Sequence, residues 1–419
     1  MSHRSITVLA LVVTGALAAT TVSMPAAFAA DDENHVQSTV TPNSDTPAPE
    51  ATQASSNDAQ SGAPAPSDTT DEAGDESASI TPEPADDTPT TIIVQLEDGN
   101  VGIPWYNRIF GLSTSTKHET VKDRIETAVE SSVPGSEVTD VLDYTKAFDG
   151  FAIQAPASSL ETIKATQGVK AAFIERHLKP LVVGGDTGAN GVDAVNPDLK
   201  NGSSLEMTRA NQTSQKGDKQ VIEVIDTGIE STHPAFSGPM DDVPVRLSHK
   251  DVESLVGTLS HGKQGAYLNK KIPFVFDYAD NDANVLPTST KDLSHGTHVA
   301  AIAAANAPDL QGTAPNAQII VAKVAADKDG SIPDSTVLAA LDDALIIKPD
   351  VINISLGDDA GWGSEAGTVY AEVYKNLAAA GVTVNAAAGN SYSSAYSNYS
   401  GKNKPFATDP DAGTVSEPG

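Results

Sequence analysis

A chain of 419 residues with a formal net charge of −30 and no cysteine is long enough for two or three domains, and it excludes thiol nucleophiles, disulfide staples and cysteine-bound zinc together. Nearly half of the charge excess sits in residues 31–90, which hold 14 acidic residues and no Lys or Arg. So acidic a balance argues against nucleic acid and anionic membrane surfaces as partners.

Residues 1–30 read as a secretory signal peptide. Arg4 precedes the apolar run from Ile6 to Ala19, and Pro25-Ala26-Ala27-Phe28-Ala29-Ala30 offers small residues for a cut near Ala29 or Ala30. The apolar run is shorter than the roughly 20 residues that a membrane span needs. Residues 31–90 are rich in Pro, Ser, Thr, Ala and acids and poor in large apolar side chains. They read as a disordered linker, since little apolar burial is available there to offset ordering.

The pattern over 91–180 predicts a strand at 91–96, then a helix at 117–130 with Val121, Ile125 and Val129 on one face. Two strands follow at 138–143 and 151–154, then a helix capped by Ser158 that contains Leu160 and Ile163, and a last strand at 169–174. This is the element order of a small ferredoxin-like α+β unit. Its polar tail, His177-Leu178-Lys179-Pro180, is suited to lie extended in a cleft by strand addition. Residues 181–218, with Gly184, Gly185, Gly188, Gly191 and Gly202, read as a connector.

From 219 onward strands alternate with helices. Strands are expected at 220–225, 318–324, 350–356 and 382–387, and helices from Ser294 to about 306, at 334–347 and at 368–380. Such alternation gives an α/β fold, a parallel sheet with helices on both faces. Functional groups in sheets of this kind gather at the carboxyl ends of the strands. Asp226, Ser355-Leu356-Gly357 and Gly389-Asn390 each follow a strand, and His295 opens a helix.

These residues suit acyl transfer, which needs a base, an anion that fixes the base's tautomer, and donors for an oxyanion. His295 is the candidate base, Asp226 the orienting carboxylate and Asn390 an oxyanion donor. Each alone has another explanation. Asp226-Thr227-Gly228 can be a turn, Gly389-Asn390 any loop, and His295 with His298 a metal pair. The metal reading lacks the Glu of His-Glu-x-x-His and a third ligand. It is the joint occurrence in this order that favours the acyl-transfer set. His298 is expected as a buried structural imidazole beneath the base, and His233 as a brace for the loop after Asp226. His261 lies in a polar loop and is read as outside the site. Asp277, Asp280 and Asp282 form a cluster that can hold a structural calcium. Their spacing is not that of an EF-hand loop, and a solvated loop is the favoured reading.

The stretches Val224-Ile225-Asp226-Thr227-Gly228, Ser294-His295-Gly296-Thr297-His298-Val299-Ala300 and Ala387-Ala388-Gly389-Asn390 resemble the subtilisin-like serine proteases, the subtilases of peptidase family S8. Lys271-Ile272-Pro273-Phe274-Val275-Phe276-Asp277-Tyr278-Ala279-Asp280 further resembles the cell-envelope proteinases of Gram-positive bacteria, the lactocepin and C5a-peptidase-like group. The resemblance implies a subtilisin-like sheet over 219–419, with Asp226 and His295 as triad members and Asn390 at the oxyanion. It also implies substrate binding by Ser355, Leu356, Gly357 and Gly389, protein or peptide substrates, and no catalytic metal. Residues 91–180, including Phe148-Asp149-Gly150-Phe151-Ala152, resemble an inhibitor-type propeptide, which would be bound intramolecularly. Secretion, with attachment to the cell wall through a further region, is also implied.

Two positions depart from the family pattern. Ala301 stands where the family has Gly, and the nucleophile motif Gly-Thr-Ser-Met-Ala does not occur in the 419 residues. Ser416 lacks its context. The expectation is therefore a secreted serine endopeptidase precursor truncated before its serine and inactive as given. The alternative is a noncatalytic extracellular fragment that acts through its α+β unit as a protease inhibitor or binding module.

Overall fold

The computed structural model describes residues 87–97, 114–180, 205, 208–287, 294–357 and 365–389, with two short strands at 396–397 and 402–403. The signal and linker expected at 1–30 and 31–90 lie outside the described residues except at 87–90, and so do 181–204 of the connector. Among the described residues no helix is long and apolar enough to cross a membrane.

Residues 89–174 build an antiparallel sheet of strands β1 (Pro89–Leu96), β2 (Thr139–Tyr144), β3 (Gly150–Pro156) and β4 (Val169–Ile174), in the order β2-β3-β1-β4. Helices α1 (Thr114–Ser132) and α2 (Leu160–Lys164) complete it. Side chains alternate across β1, so Ile92, Val94 and Leu96 meet Val121, Ile125 and Val129 of α1, while Ile93 turns to the other side. Ser158 does not cap α2. A single 3-10 turn, Ala157–Ser159, intervenes and puts Ser159 at the cap position, while the Ser158 hydroxyl donates to Asp87 at 2.7 Å.

The next strand, β5 (His177–Pro180), leaves that sheet. The second sheet is parallel, with β6 (Val221–Asp226) at its centre, β7 (Phe274–Asp277) at one edge and, further along the chain, β10 (Gln318–Lys323), β12 (Val351–Ile354) and β14 (Thr383–Ala386). Its order is β14-β12-β6-β10-β7. Helix α3 (His249–Val256) lies between β6 and β7 in the chain, and α4 (His295–Ala304) follows β7. Short strands β8 (Asn306–Ala307) and β9 (Leu310–Gln311) pair with each other. β11 (Ile332–Pro333) precedes α5 (Asp334–Ile347), and β13 (Leu356–Gly357) precedes α6 (Glu365–Ala379).

Helix α4 covers one face, with Val299, Ala300 and Ala303 clustered with Ile222, Val224, Ile319 and Val321. The other face belongs to α5 and α6, whose Val337, Leu341, Val369 and Val373 join Ile225, Ile320 and Ile352. Ile93, Tyr144, Phe148 and Phe173 of the antiparallel sheet belong to that same apolar cluster. Helix α3 and strand β7 were not anticipated as elements. The signal for α3 was present: Ser248 and Asp251 form a reciprocal capping box. Strand β7, only four residues long and following Pro273, is too short for its period to register. The strand expected over 350–356 breaks at Ser355, because the chain there moves from one sheet to another.

Two hydrogen-bonded clusters tie down the α+β unit. Loop 145–149 docks on α5, where Asp342 Oδ1 accepts from the backbone N–H of Thr145, Lys146 and Ala147 at 3.2, 2.7 and 2.7 Å. The buried His118 ring bridges the ends of the same loop, with Nδ1 2.8 Å from Asp143 and Nε2 2.7 Å from Asp149. Lys117 pairs with Asp149, Lys122 with Asp140 and Asp143, and the Phe151 ring packs edge-on to the imidazole. Burial pulls the His118 pKa down, but the two carboxylates outweigh it and the net shift is upward from 6.5. A base whose folded pKa is raised stabilises the fold below its unfolded pKa and loses that contribution as pH rises through the folded value. His118→Gln should therefore cost on the order of 1 kcal/mol at pH 5, given half-exposed partners, and less at pH 9. Urea unfolding of both proteins at the two pH values checks this; a deficit that grows with pH would refute it.

Candidate active site

The site begins with the strand that must be most rigid. β6 is central in the parallel sheet, paired with β10 and β12, and Asp226 ends it with 1% of its side chain exposed. A turn through Thr227 and Gly228 follows, and Gly228 takes φ +103°, a left-handed conformation that favours glycine. Helix α4 enters immediately above this turn. A Cβ on Gly296 would lie 2.2 Å from the Gly228 carbonyl oxygen, so only glycine lets the helix start approach so closely.

That approach sets the polar geometry. His295 Nδ1 lies 2.8 Å from Asp226 Oδ1, and the same oxygen accepts the Thr227 N–H at 2.7 Å. Gly296 N donates to Thr227 Oγ1 at 3.1 Å, and Glu230 N donates to Thr297 Oγ1 at 2.9 Å. Strand turn and helix start are thus stitched in both directions around one carboxylate–imidazole contact. Asp226 on Nδ1 selects the tautomer whose Nε2 accepts a proton, the arrangement of a general base held by an acid.

His298 is not beneath the base. It is exposed, because Gly296, Thr297, Val299, Ala300 and Ala303 form the inward side of α4 and residue 298 falls opposite them. Asn390 lies outside the described residues. Gly389 is described, with φ +93° just after β14. Ser355 is buried, and its hydroxyl accepts from Asn353 Nδ2 at 3.0 Å. His233 caps the short turn Pro234–Phe236 by accepting the Ala235 N–H at 3.2 Å. The His261 and Gly262 N–H groups, with that of Ser260, are held by the Asp343 carboxylate.

Leu356 and Gly357 pair with an extended strand of the same chain. β5 runs antiparallel to both β13 and β11 and lies between them, with Leu356 opposite Pro180, Gly357 opposite Lys179, and Ile332 opposite Leu178. Ile332 and Pro333 were missed in the sequence because a two-residue strand before a helix carries no period. Two short edges thus face each other across one strand and form a groove that β5 fills, paired through its backbone on both sides, with Leu178 buried and His177 and Lys179 exposed.

The acidic cluster near β7 has a different membership from the one expected. Asp327 joins Asp277 and Asp280, and Asp282 does not. Lys323, on β10 directly beside Asp226, puts its ammonium 2.7 Å from Asp277 and also on Asp327. Asp277 further accepts the N–H groups of Ala279 and Asp280. A lysine thus supplies the cation to its buried carboxylate.

A family model, that of the subtilase family (peptidase S8), matches residues 217–418. The PI-type proteinase of Lactococcus lactis subsp. cremoris is 32% identical over 263 residues, 61% of this chain and 12% of that protein. The C5a peptidase of Streptococcus pyogenes serotype M6 is 29% identical over 213 residues, 48% of this chain and 17% of that one. The chain thus spans less than a fifth of either relative. Among solved structures, fervidolysin from Fervidobacterium pennivorans, a keratinolytic enzyme related to subtilisin, aligns over 73% of this chain and 40% of its own, with 18% identity and a TM-score of 0.43.

Proposed function

Residues 217–418 are a subtilase-family domain, and from that premise we propose that the chain belongs to the precursor of a secreted serine endopeptidase in which Asp226 orients His295 as general base. The observation that carries this reading is the 2.8 Å contact from His295 Nδ1 to a carboxylate fixed at the end of the central strand. In this mechanism His295 takes the proton of a serine hydroxyl as it attacks the peptide carbonyl, then returns it to the leaving amine. Asn390 offers its side-chain amide to the oxyanion. Peptide backbone pairs with Ile332–Pro333 on one side and Leu356–Gly357 on the other. Residues 91–180 act as the propeptide, with β5 lying where substrate would. Residues 1–30, with Arg4 before the apolar run from Ile6 to Ala19 and small residues near Ala29, direct secretion.

The serine motif is not in the 419 residues, so the test uses the protein made from its own gene. A fluorophosphonate probe should label one serine there, and His295→Ala should abolish the labelling. In subtilisin, removing the histidine alone lowers turnover by about 2 × 10⁶. The same probe on residues 31–419 should label none. Labelling that survives His295→Ala would remove the base assignment. The noncatalytic reading, an inhibitor or binding module, is favoured by β5 filling the groove. It predicts no labelled serine in the native product.

A further inference from the structure

The chain before β5 continues along the same rail. Directly after the pair Pro333–His177, Asp334 N donates to the Arg176 carbonyl oxygen at 3.1 Å. In return, Asp334 Oδ2 accepts from Arg176 N and Nε at 3.0 Å each, and Oδ1 accepts from Nη2 at 3.2 Å. The Tyr370 hydroxyl donates to Oδ1 at 2.8 Å. The Asp334 side chain is wholly buried, and that of Arg176 is 23% exposed. Two residues on, Leu178 is buried in the apolar cluster that also contains Ile332, Leu356 and Tyr370. His177 and Lys179 face solvent. An extended strand sends alternate side chains to one side, and here the inward pair is a guanidinium followed by a leucine.

We propose that Asp334 is a specificity-determining residue: once the intrachain strand is gone, the groove takes extended peptides that carry arginine two residues before an apolar side chain, in the register of Arg176 and Leu178. This rests on reading the groove between β11 and β13 as the peptide site. The fork of the guanidinium spans both carboxylate oxygens, which a lysine ammonium cannot do. Without a guanidinium the carboxylate keeps the Tyr370 hydroxyl but loses its counter-charge, so a neutral residue at that place leaves a desolvated anion without a cation. The leucine contact sets where the strand sits, and Asp334 then discriminates by charge and shape.

The test uses the full chain carrying Arg176→Ala and Leu178→Asp, which remove both anchors of its own strand. The probe is a fluorescein-labelled octapeptide with the sequence of residues 174–181, compared by fluorescence polarisation with the same peptide bearing citrulline for arginine. Citrulline keeps the shape and loses the charge, and should bind about 100-fold more weakly. Adding Asp334→Asn to the protein should erase that difference. Equal binding of the two peptides to the Asp334 protein overturns the proposal and leaves the groove reading standing. Failure of both peptides to bind sinks the groove reading and the proposal with it. A second measurement keeps the own strand in place. Arg176→Gln and Asp334→Asn should each speed hydrogen exchange of the β5 amides, and the double variant should exchange no faster than either single one. Multiplying effects would overturn the assignment.

Discussion

Glu223→Gln is expected to raise stability at pH 7 by about 3 kcal/mol and to leave it unchanged at pH 4. Glu223 sits in the middle of β6 between Ile320 and Ile352, fully buried, and neither carboxyl oxygen has a hydrogen-bond partner among the described residues. Burial, with the Asp343 carboxylate adding to it, pushes its pKa from 4.5 up to about 8. The folded protein therefore holds a proton that the unfolded chain releases above pH 4.5. Stability is full below 4.5, falls as pH rises toward 8, and is level beyond. At about 1.4 kcal/mol per pH unit the whole fall is on the order of 5 kcal/mol, of which about 3 has accrued by pH 7. The amide does not titrate, so the difference between variant and parent should grow across that window. Urea unfolding at pH 4, 5.5 and 7 measures it. Lys271, whose ammonium donates to the Pro315 and Ala317 carbonyls, is pushed down to about 7 by burial. It gives parent and variant alike the opposite slope between pH 7 and 10.5, and so cancels from the difference between them. A difference that stays flat from pH 4 to 7 would show that Glu223 does not titrate as its burial demands.

The second large effect lies at Asp342. Asp342→Ala should cost about 3–5 kcal/mol, because it strips a buried acceptor from three backbone N–H groups at once. Asp342→Asn keeps an oxygen in place and should cost about 1–2 kcal/mol. The amides of residues 145–147 should lose hydrogen-exchange protection in the alanine variant. Those of Ser260 and Gly262, held by the neighbouring Asp343, should keep theirs. Consecutive helix positions point about 100° apart, which is how α5 grips one loop from each sheet. An alanine variant within about 1 kcal/mol of the parent would mean that water satisfies loop 145–147 equally well.

Much of this fold was legible because its elements are long and strongly patterned. The α5 helix begins at Asp334 and ends at Ile347 as the apolar period requires, and β4 runs from Val169 to Ile174 as expected. What escaped was set by tertiary contacts. β7 is four buried residues, and β11 and β13 are two residues each, below the length at which any period can register. In the site, Asp226 and His295 could be paired because each stands at an element end with a glycine within two residues, Gly228 and Gly296. The sequence does not show that Asp334 and Asp342, eight residues apart on one helix, reach back to Arg176 and to loop 145–147. Those partners lie more than 150 residues upstream, and an Asp in a helix reads as a solvated charge until its neighbours are known. His298 failed for a related reason. Residue 298 is close to the base in sequence but not in space, because the helix turns it outward.

The placement of β5 between β11 and β13 has a consequence that concerns volume. Groove and strand belong to one polypeptide, so the groove meets its occupant at an effective concentration on the order of millimolar, whatever the amount of protein in solution. Dilution cannot empty it. A single cut between Pro180 and Val221 turns that internal equilibrium into an ordinary association, whose midpoint depends on how much protein surrounds it. The same contacts that hold at any concentration before the cut would then loosen wherever the two pieces spread into a larger space. The size of the surroundings would then become a term in whether the groove is open.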